Sequence, residues 1–135
     1  MTHTTKERAQ FLGLLNGTTE FMRLAGQNTE GGDFVDYDIR DLRRGLLEEE
    51  YAIEYLDAEF DDDLVATVDA LLDIIVVSWG TLLAYIGEER ALAAAAEVVR
   101  SNLDKVTGEI KRAPNGKILK PEGWVGPDIE GVVNG

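Results

Sequence analysis

The chain has 135 residues, the usual length of a single domain. It carries 26 acidic and 13 basic residues, and the net charge of -13 argues against broad contact with nucleic-acid backbones. Cysteine is absent and the one histidine is His3, so zinc, haem and thiol chemistry lack ligands. Any bound metal must therefore be held by oxygen.

The N-terminus has no apolar signal stretch, which predicts a cytosolic protein. The longest apolar run, Leu71 to Val77, is too short to span a bilayer and is interrupted by Asp73. We therefore expect no membrane association. Aromatic residues are sparse and the apolar content is largely Ala, Leu, Val and Ile, which favours helices packed on helices.

The first two helices are indicated by apolar residues at three- and four-residue spacing. Lys6 to Leu24 predicts one bent or two short helices, broken near residues 16–19. Asp33 or Asp36 is suited to cap a second helix from Tyr37 to about Ala58. Its inner face is predicted to consist of Ile39, Leu42, Leu46, Ile53, Leu56 and Phe60.

An acidic connector, residues 61–63, leads into the third helix, which we expect from Leu64 to Ile86. Because the connector is short, the second and third helices should be antiparallel neighbours. Gly87 and Glu88 interrupt the chain before a last helix from about Arg90 to Val106. The sequence thus predicts an all-α fold.

The rest of the chain is expected to be irregular. Pro114, Asn115 and Gly116 suit a turn or short hairpin, and an extended arm should follow. We predict a helical domain over residues 1–107, with residues 108–135 as an irregular tail of that same domain.

Acidic residues fall where the helical pattern predicts an apolar face. On a wheel of about 100° per residue, Glu49 lies near the centre of the inner face of the second helix, with Glu50 and Glu54 on its flank. The third helix carries Asp69 and Asp73 one turn apart. A solvated helix face is the simplest interpretation of one such pair. Two pairs on adjacent apolar faces instead predict a divalent-cation site, because buried carboxylates require a partner.

Four blocks of sequence carry a resemblance to a known family. They are residues 46–55, which read LLEEEYAIEY, residues 68–75, which read VDALLDII, and two end blocks, residues 99–105 and 115–121. In these blocks the chain resembles the MazG-like all-α nucleoside triphosphate pyrophosphohydrolases, a group that includes phosphoribosyl-ATP pyrophosphohydrolase-like proteins of bacteria and phages. The resemblance implies a four-helix bundle with an antiparallel central pair.

The acidic spacing departs from the common family pattern, Glu-Glu-x-x-Glu followed by Glu-x-x-Asp. This chain has Glu49-Glu50-x-x-x-Glu54 and Asp69-x-x-x-Asp73. The resemblance implies that Glu50, Glu54, Asp69 and Asp73 bind Mg²⁺, for which Mn²⁺ can substitute. Glu50 also counts among the catalytic residues, together with Glu49, which is available to take a proton from water.

The activity implied by the resemblance is hydrolysis of a nucleoside triphosphate between its α- and β-phosphates, releasing a nucleoside monophosphate and pyrophosphate. Basic and amide side chains of the two end blocks are the candidates for substrate binding: Arg100, Asn102, Lys105, Lys117 and Lys120. Alternatively, these residues bind no substrate, and their side chains simply favour the C-terminus of a helix and a solvated turn. We expect a homodimer or homotetramer in the cytosol of a bacterial or phage-infected cell.

Two other interpretations stay open. The first is a catalytically silent, oligomeric helical interaction protein in which the altered spacing no longer assembles the metals. Such a bundle would bind Mg²⁺ no better than its surface charge predicts, and Glu50→Gln would leave or raise its stability. The second is a pyrimidine-specific hydrolase that cleaves dUTP or dCTP.

Overall fold

The structure is a computed structural model that describes residues 2–135. Over that range the chain is all-helical, and its one extended pairing is an antiparallel bridge between Arg112 and Ile118. The chain forms two compact units, the first ending at Glu88 and the second beginning at Glu89. The elements in chain order are α1 (Thr5–Leu24), a 3-10 turn (Asp33–Val35), α2 (Tyr37–Glu48), a π-helical segment (Glu49–Tyr55), α3 (Leu56–Phe60), α4 (Leu64–Asp104) and α5 (Ile129–Asn134).

Helix α1 is divided into two short helices, which is one of the two forms predicted from the sequence. The break is at Gly13, whose φ of 75° is left-handed. The prediction of a break several residues later is wrong, because the threonines there are helical. Thr18 donates to the Leu14 carbonyl at 2.7 Å, and Thr19 donates to the Leu15 carbonyl at 3.1 Å, so their hydroxyl groups are satisfied within the helix.

The second predicted helix is present but contains a π-helical segment in its middle. Asp36 caps it, since its Oδ1 accepts from the backbone N–H groups of Asp38 and Ile39 at 3.1 and 3.2 Å. From Glu49 to Tyr55 the helix is π-helical. There each turn holds an extra residue compared with an α-helix, because the backbone bonds run to the fifth rather than the fourth residue. Helix α3 then continues to Phe60.

Helix α4 begins after a cap by Asp63, whose Oδ1 accepts from the Ala66 backbone N–H at 3.0 Å. It is interrupted at Gly87, where φ is 83°. A Cβ on Gly87 would lie 2.8 Å from the Glu30 carbonyl oxygen, and one on Gly31 would lie 2.8 Å from the Ile86 carbonyl carbon. This close approach of the two backbone segments requires glycine at both positions. Because the helix is interrupted at Gly87, the prediction that the third helix ends at Ile86 is confirmed.

The core of the first unit joins α1 to α4. Trp79, Leu83 and Met22 are almost completely buried. The Trp79 indole Nε1 donates to the Thr19 hydroxyl at 2.9 Å, so the polar atom of this large ring is satisfied. The hydrogen bond fixes where α1 lies against α4.

Helix α4 contains an 18-residue window with a mean hydropathy of 1.8, of which 39% is buried. By length and composition alone it could cross a membrane, whereas the run Leu71 to Val77 by itself could not. A core helix of a soluble protein passes the same test.

In the second unit the tail is fixed to the last turns of α4. Trp124 Nε1 donates to the Ser101 carbonyl at 2.7 Å, and Glu97 Oε1 accepts from the Asp128 N–H at 2.9 Å. A tight turn closes between Ala113 and Lys117, where the hairpin was predicted. The short helix α5, which the sequence pattern does not indicate, follows Asp128 and its side-chain cap.

Candidate metal centre

Three carboxylates from two helical segments meet in the first unit. Glu50 and Glu54 lie in the π-helical segment, and Asp73 lies on α4. One oxygen from each side chain lies within 4.8 Å of the others. We call these three residues the carboxylate cluster. The proximity of the Glu50 and Asp73 oxygens also places the π-helical segment beside α4 at this level.

Glu50 is half-buried, as is Asp73, whereas Glu54 is exposed. The Oε2 of Glu50 is buried and has no hydrogen-bond partner among residues 2–135. Burial is the main cause that raises the pKa of Glu50 from 4.5 to about 7, followed by hydrogen-bonding contact with Glu54. The charges of Glu54, Asp73 and Glu49 raise that pKa further. An unpaired, buried carboxylate oxygen of this kind is costly without a proton or a cation.

Asp73 is half-buried, as its position inside an apolar run led us to expect. Burial raises the pKa of Asp73, and the negative charges of Asp69 and Glu54 add to the increase. No hydrogen bond or ion pair between a Lys, Arg or His side chain and the carboxylate cluster occurs within residues 2–135. The repulsion is therefore not relieved by the protein's own cations.

A hard divalent cation suits this arrangement. The donor set is made of oxygen only, which Mg²⁺ and Mn²⁺ prefer. Ligands on opposite sides of Mg²⁺ lie about 4.2 Å apart, since each Mg–O bond is about 2.1 Å. Oxygens within 4.8 Å of one another need only small side-chain rotations to reach that spacing, and Glu54 is exposed and free to make them.

The remaining two acidic candidates lie beside the cluster rather than in it. Glu49 is exposed, so its predicted place at the centre of the inner face is wrong, and the half-buried side chain is Glu50. Glu49 is still close enough for its charge to raise the pKa of Glu50. Asp69 is exposed and stands one turn from Asp73, whose pKa its charge raises.

Asp69 also lines an acidic recess that the sequence analysis did not predict. This recess has a volume of about 380 Å³ and lies between the end of the second helix and the start of α4. Its acidic lining residues are Glu54, Asp57, Asp61, Asp63 and Asp69. The run of acids in the connector, residues 61–63, is the sequence signal that points to this recess.

The five predicted substrate-binding residues all belong to the second unit. Arg100 is engaged by its own unit: it pairs with Glu97 at 3.1 Å and Asp104 at 2.8 Å, and donates to the Gly126 carbonyl at 2.8 Å. These contacts raise the pKa of Arg100, chiefly through Glu97. Asn102 is exposed and accepts from the Lys105 ammonium at 3.2 Å.

The predicted lysines divide into two groups. Lys105 and Lys120 each place an ammonium 5.0 Å from the centre of the Trp124 ring, where the ring quadrupole attracts a cation. Lys117 is exposed in the turn. One group therefore consists of Lys105, Lys120 and Trp124, and Arg100 is close to Lys105 in sequence. Lys117 is not part of this group.

Arg100→Met is expected to loosen the tail, because it removes the hydrogen bonds to the carbonyl groups of Val125 and Gly126. Limited proteolysis should then cut residues 108–135 several-fold faster than in the wild type. Arg112→Met, which changes an exposed arginine of the turn, serves as the control. Equal cleavage rates in wild type and Arg100→Met would refute this role for Arg100.

The chain was also compared with known proteins. No protein-family model matches it, and the search of curated proteins found no match.

Proposed function

We propose that the protein is a Mg²⁺-dependent nucleoside triphosphate pyrophosphohydrolase with a MazG-like helical bundle. It would convert an NTP or dNTP and water to a nucleoside monophosphate and pyrophosphate. The observation that carries the proposal is the buried, unpartnered Oε2 of Glu50 in a cluster with Glu54 and Asp73. Perturbed carboxylates gathered without a protein cation are typical of a functional site.

Each acidic residue has a role in this proposal. Glu50, Glu54 and Asp73 would hold the ion, with Asp69 one turn away as a further ligand. When bound, Mg²⁺ neutralises the triphosphate and lowers the pKa of an attacking water. Glu49, which is exposed and next to Glu50 in sequence, would accept the proton from that water.

One alignment with the family pattern supports the proposal. The pattern Glu-Glu-x-x-Glu places its first and last acids four residues apart, or about one α-helical turn. Glu50 and Glu54 have that spacing and meet in the carboxylate cluster, while Tyr51 stands at the position of the second acid.

The experiment that tests the proposal is product analysis by ion-exchange chromatography with a panel of NTPs and dNTPs, in Mg²⁺, Mn²⁺ or a chelator. We expect a nucleoside monophosphate and pyrophosphate, formed only with the metals. Release of a diphosphate and phosphate would contradict the proposed reaction. The panel includes dUTP and dCTP, so that it also identifies a preference for pyrimidine nucleotides.

We further propose that a second copy covers the exposed apolar side of α4 between Leu64 and Ile86, giving a homodimer or homotetramer. Among residues 2–88, the buried apolar side chains larger than Ala are Met22, Trp79 and Leu83, a small core for a domain. Val65 and Val68 are 81% and 47% exposed on α4. If these residues must be buried for the fold to be stable, their partner must always be present. A second copy of the same chain meets that requirement.

Replacing Val65 and Val68 with Gln is expected to shift the protein toward the monomer, because it removes apolar area from the proposed contact. Analytical ultracentrifugation measures the change, and we expect the dissociation constant to rise at least about 10-fold. Val98 and Val99 are also exposed on α4 and provide the control when both are changed to Gln. A monomeric wild type, or equal dissociation constants for both double variants, would exclude this contact.

The proposed substrate also bears on where the protein acts. Nucleoside triphosphates are cytosolic, and we propose the cytosol of a bacterial or phage-infected cell as its location. Covering the apolar side of α4 with a second copy would account for that helix without a membrane.

A further inference from the structure

Arg43 is a half-buried cation in a strongly acidic chain. Its guanidinium lies across α4 at Gly80, next to buried Met22. A Cβ on Gly80 would lie 3.1 Å from Arg43 Nη1 and 3.0 Å from Met22 Sδ, so the glycine leaves the space that the guanidinium uses. Among residues 2–135, Arg43 forms neither an ion pair nor a side-chain hydrogen bond.

The neighbouring arginines of α2 are placed differently. Arg44 is exposed and pairs with Asp41 at 2.9 Å. Arg40 lies over the Phe34 ring at 4.5 Å, where it makes a cation–π contact. Arg43 has no comparable contact, and burial lowers its pKa, although electrostatic interactions with Tyr85 and Asp33 oppose that effect. A guanidinium withdrawn from water without a partner is unfavourable unless a ligand supplies the anion.

Arg43 lies on the same seam as the carboxylate cluster. Arg43 and Glu50 are seven residues apart, so they share one face of the helix. Their contacts on α4, Gly80 and Asp73, are also seven residues apart. Seven residues correspond to two turns, or about 10 Å along the helix axis. A triphosphate chain held through an ion at the carboxylate cluster would extend along this seam toward Arg43.

We propose that Arg43 binds a phosphate of the substrate's triphosphate chain, two helical turns from the carboxylate cluster. This inference rests on the proposed function. The guanidinium has a planar fork of donors that fits two phosphate oxygens at once, which makes it better suited than a lysine to this position. Arg43 acts on binding and positioning, while the carboxylate cluster holds the ion.

The first test compares the kinetics of Arg43→Met with those of Arg44→Met. Methionine keeps an apolar stem against Met22, so the fold should be retained, and circular dichroism checks this. We expect KM to rise about 10- to 100-fold in Arg43→Met, as for loss of a charged hydrogen bond, with kcat changed only a few-fold. Arg44→Met should match the wild type, and Arg43→Lys should recover part of the loss.

The change in KM should be the same for every nucleobase that the wild type hydrolyses. An unchanged KM in Arg43→Met, with normal turnover, would overturn the inference but leave the proposed function standing. A loss confined to certain nucleobases would also overturn it, because Arg43 would then contact the base.

A second test does not need turnover. Inorganic tripolyphosphate is titrated into the protein in saturating Mg²⁺, and binding is followed by the increase in Tm. We expect the half-saturating concentration to rise at least about 10-fold in Arg43→Met and to stay unchanged in Arg44→Met. Equal values in all three proteins, or no binding to the wild type, would overturn the inference. Binding that depends on Arg43 in a protein without turnover would uphold the phosphate contact while the proposed function fails.

Discussion

Glu50→Gln is expected to lower metal-dependent pyrophosphate release by at least about 100-fold, since a bound divalent ion contributes several kcal/mol to such a reaction. The glutamine keeps the shape of the side chain but removes the charge of the carboxylate with the buried, unpartnered oxygen. Asp73→Asn should have a similar effect, because Asp73 is the member of the carboxylate cluster that α4 supplies. The rate of pyrophosphate release in Mg²⁺ measures the activity of both variants.

Glu48→Gln is the matched control for this prediction. Glu48 is exposed, lies two residues before Glu50 and is outside the carboxylate cluster. Its substitution changes the net charge by the same amount, so we expect activity within about two-fold of the wild type. If Glu50→Gln and Glu48→Gln were equally active, the buried carboxylate would have no part in the reaction.

The metal-free protein is expected to be more stable at pH 5 than at pH 8, by a few degrees of Tm. The pKa of Glu50 rises from 4.5 to about 7 on folding. Below pH 4.5 the group is protonated in both states. Between pH 4.5 and about 7 the folded protein keeps a proton that the unfolded chain has released, so stability falls as the pH rises through this range. The raised pKa of Asp73 acts in the same direction.

Mg²⁺ should reverse this loss at pH 8, because it takes the place of the proton on Glu50. At pH 5 it should raise the Tm little, since most of the carboxyl is protonated. Glu50→Gln should raise the Tm of the metal-free protein at pH 8, as it would in a catalytically silent bundle. It should also remove most of the gain from Mg²⁺, which a silent bundle would not show. Scanning calorimetry at both pH values, with and without Mg²⁺, measures these differences. If Glu48→Gln changed the Tm in the same way, the differences in Tm would be due to net charge and not to Glu50.

The sequence was sufficient to predict where most helices begin and end. Asp36 and Asp63 cap α2 and α4 through local hydrogen bonds, and local contacts of this kind are encoded by adjacent residues. The interruption at Gly87 followed from the same kind of signal. The break in α1 was misplaced because Gly13, rather than the residues that follow it, adopts the left-handed conformation, and no neighbouring residue indicates which glycine does so.

The sequence pattern grouped Glu50, Glu54, Asp69 and Asp73, and the structure brings three of them together while Asp69 lies beside them. The wheel assumed α-helical turns and therefore placed Glu49 on the inner face, whereas Glu50 is the half-buried residue. The π-helical segment from Glu49 to Tyr55 changes the angle per residue in this region. Arg43 was missed because a single arginine on a helix has no distinguishing pattern, and only its contact with Gly80 separates it from Arg44.

The most direct test of the carboxylate cluster is a titration of Mn²⁺ into the protein at pH 8, in which electron paramagnetic resonance measures the free ion. The wild type and Glu48→Gln should bind Mn²⁺ with equal affinity, and Glu50→Gln and Asp73→Asn should lose most of that binding. Equal binding by all four proteins would mean that the ion is held by general surface charge, and it would contradict a metal centre at Glu50, Glu54 and Asp73.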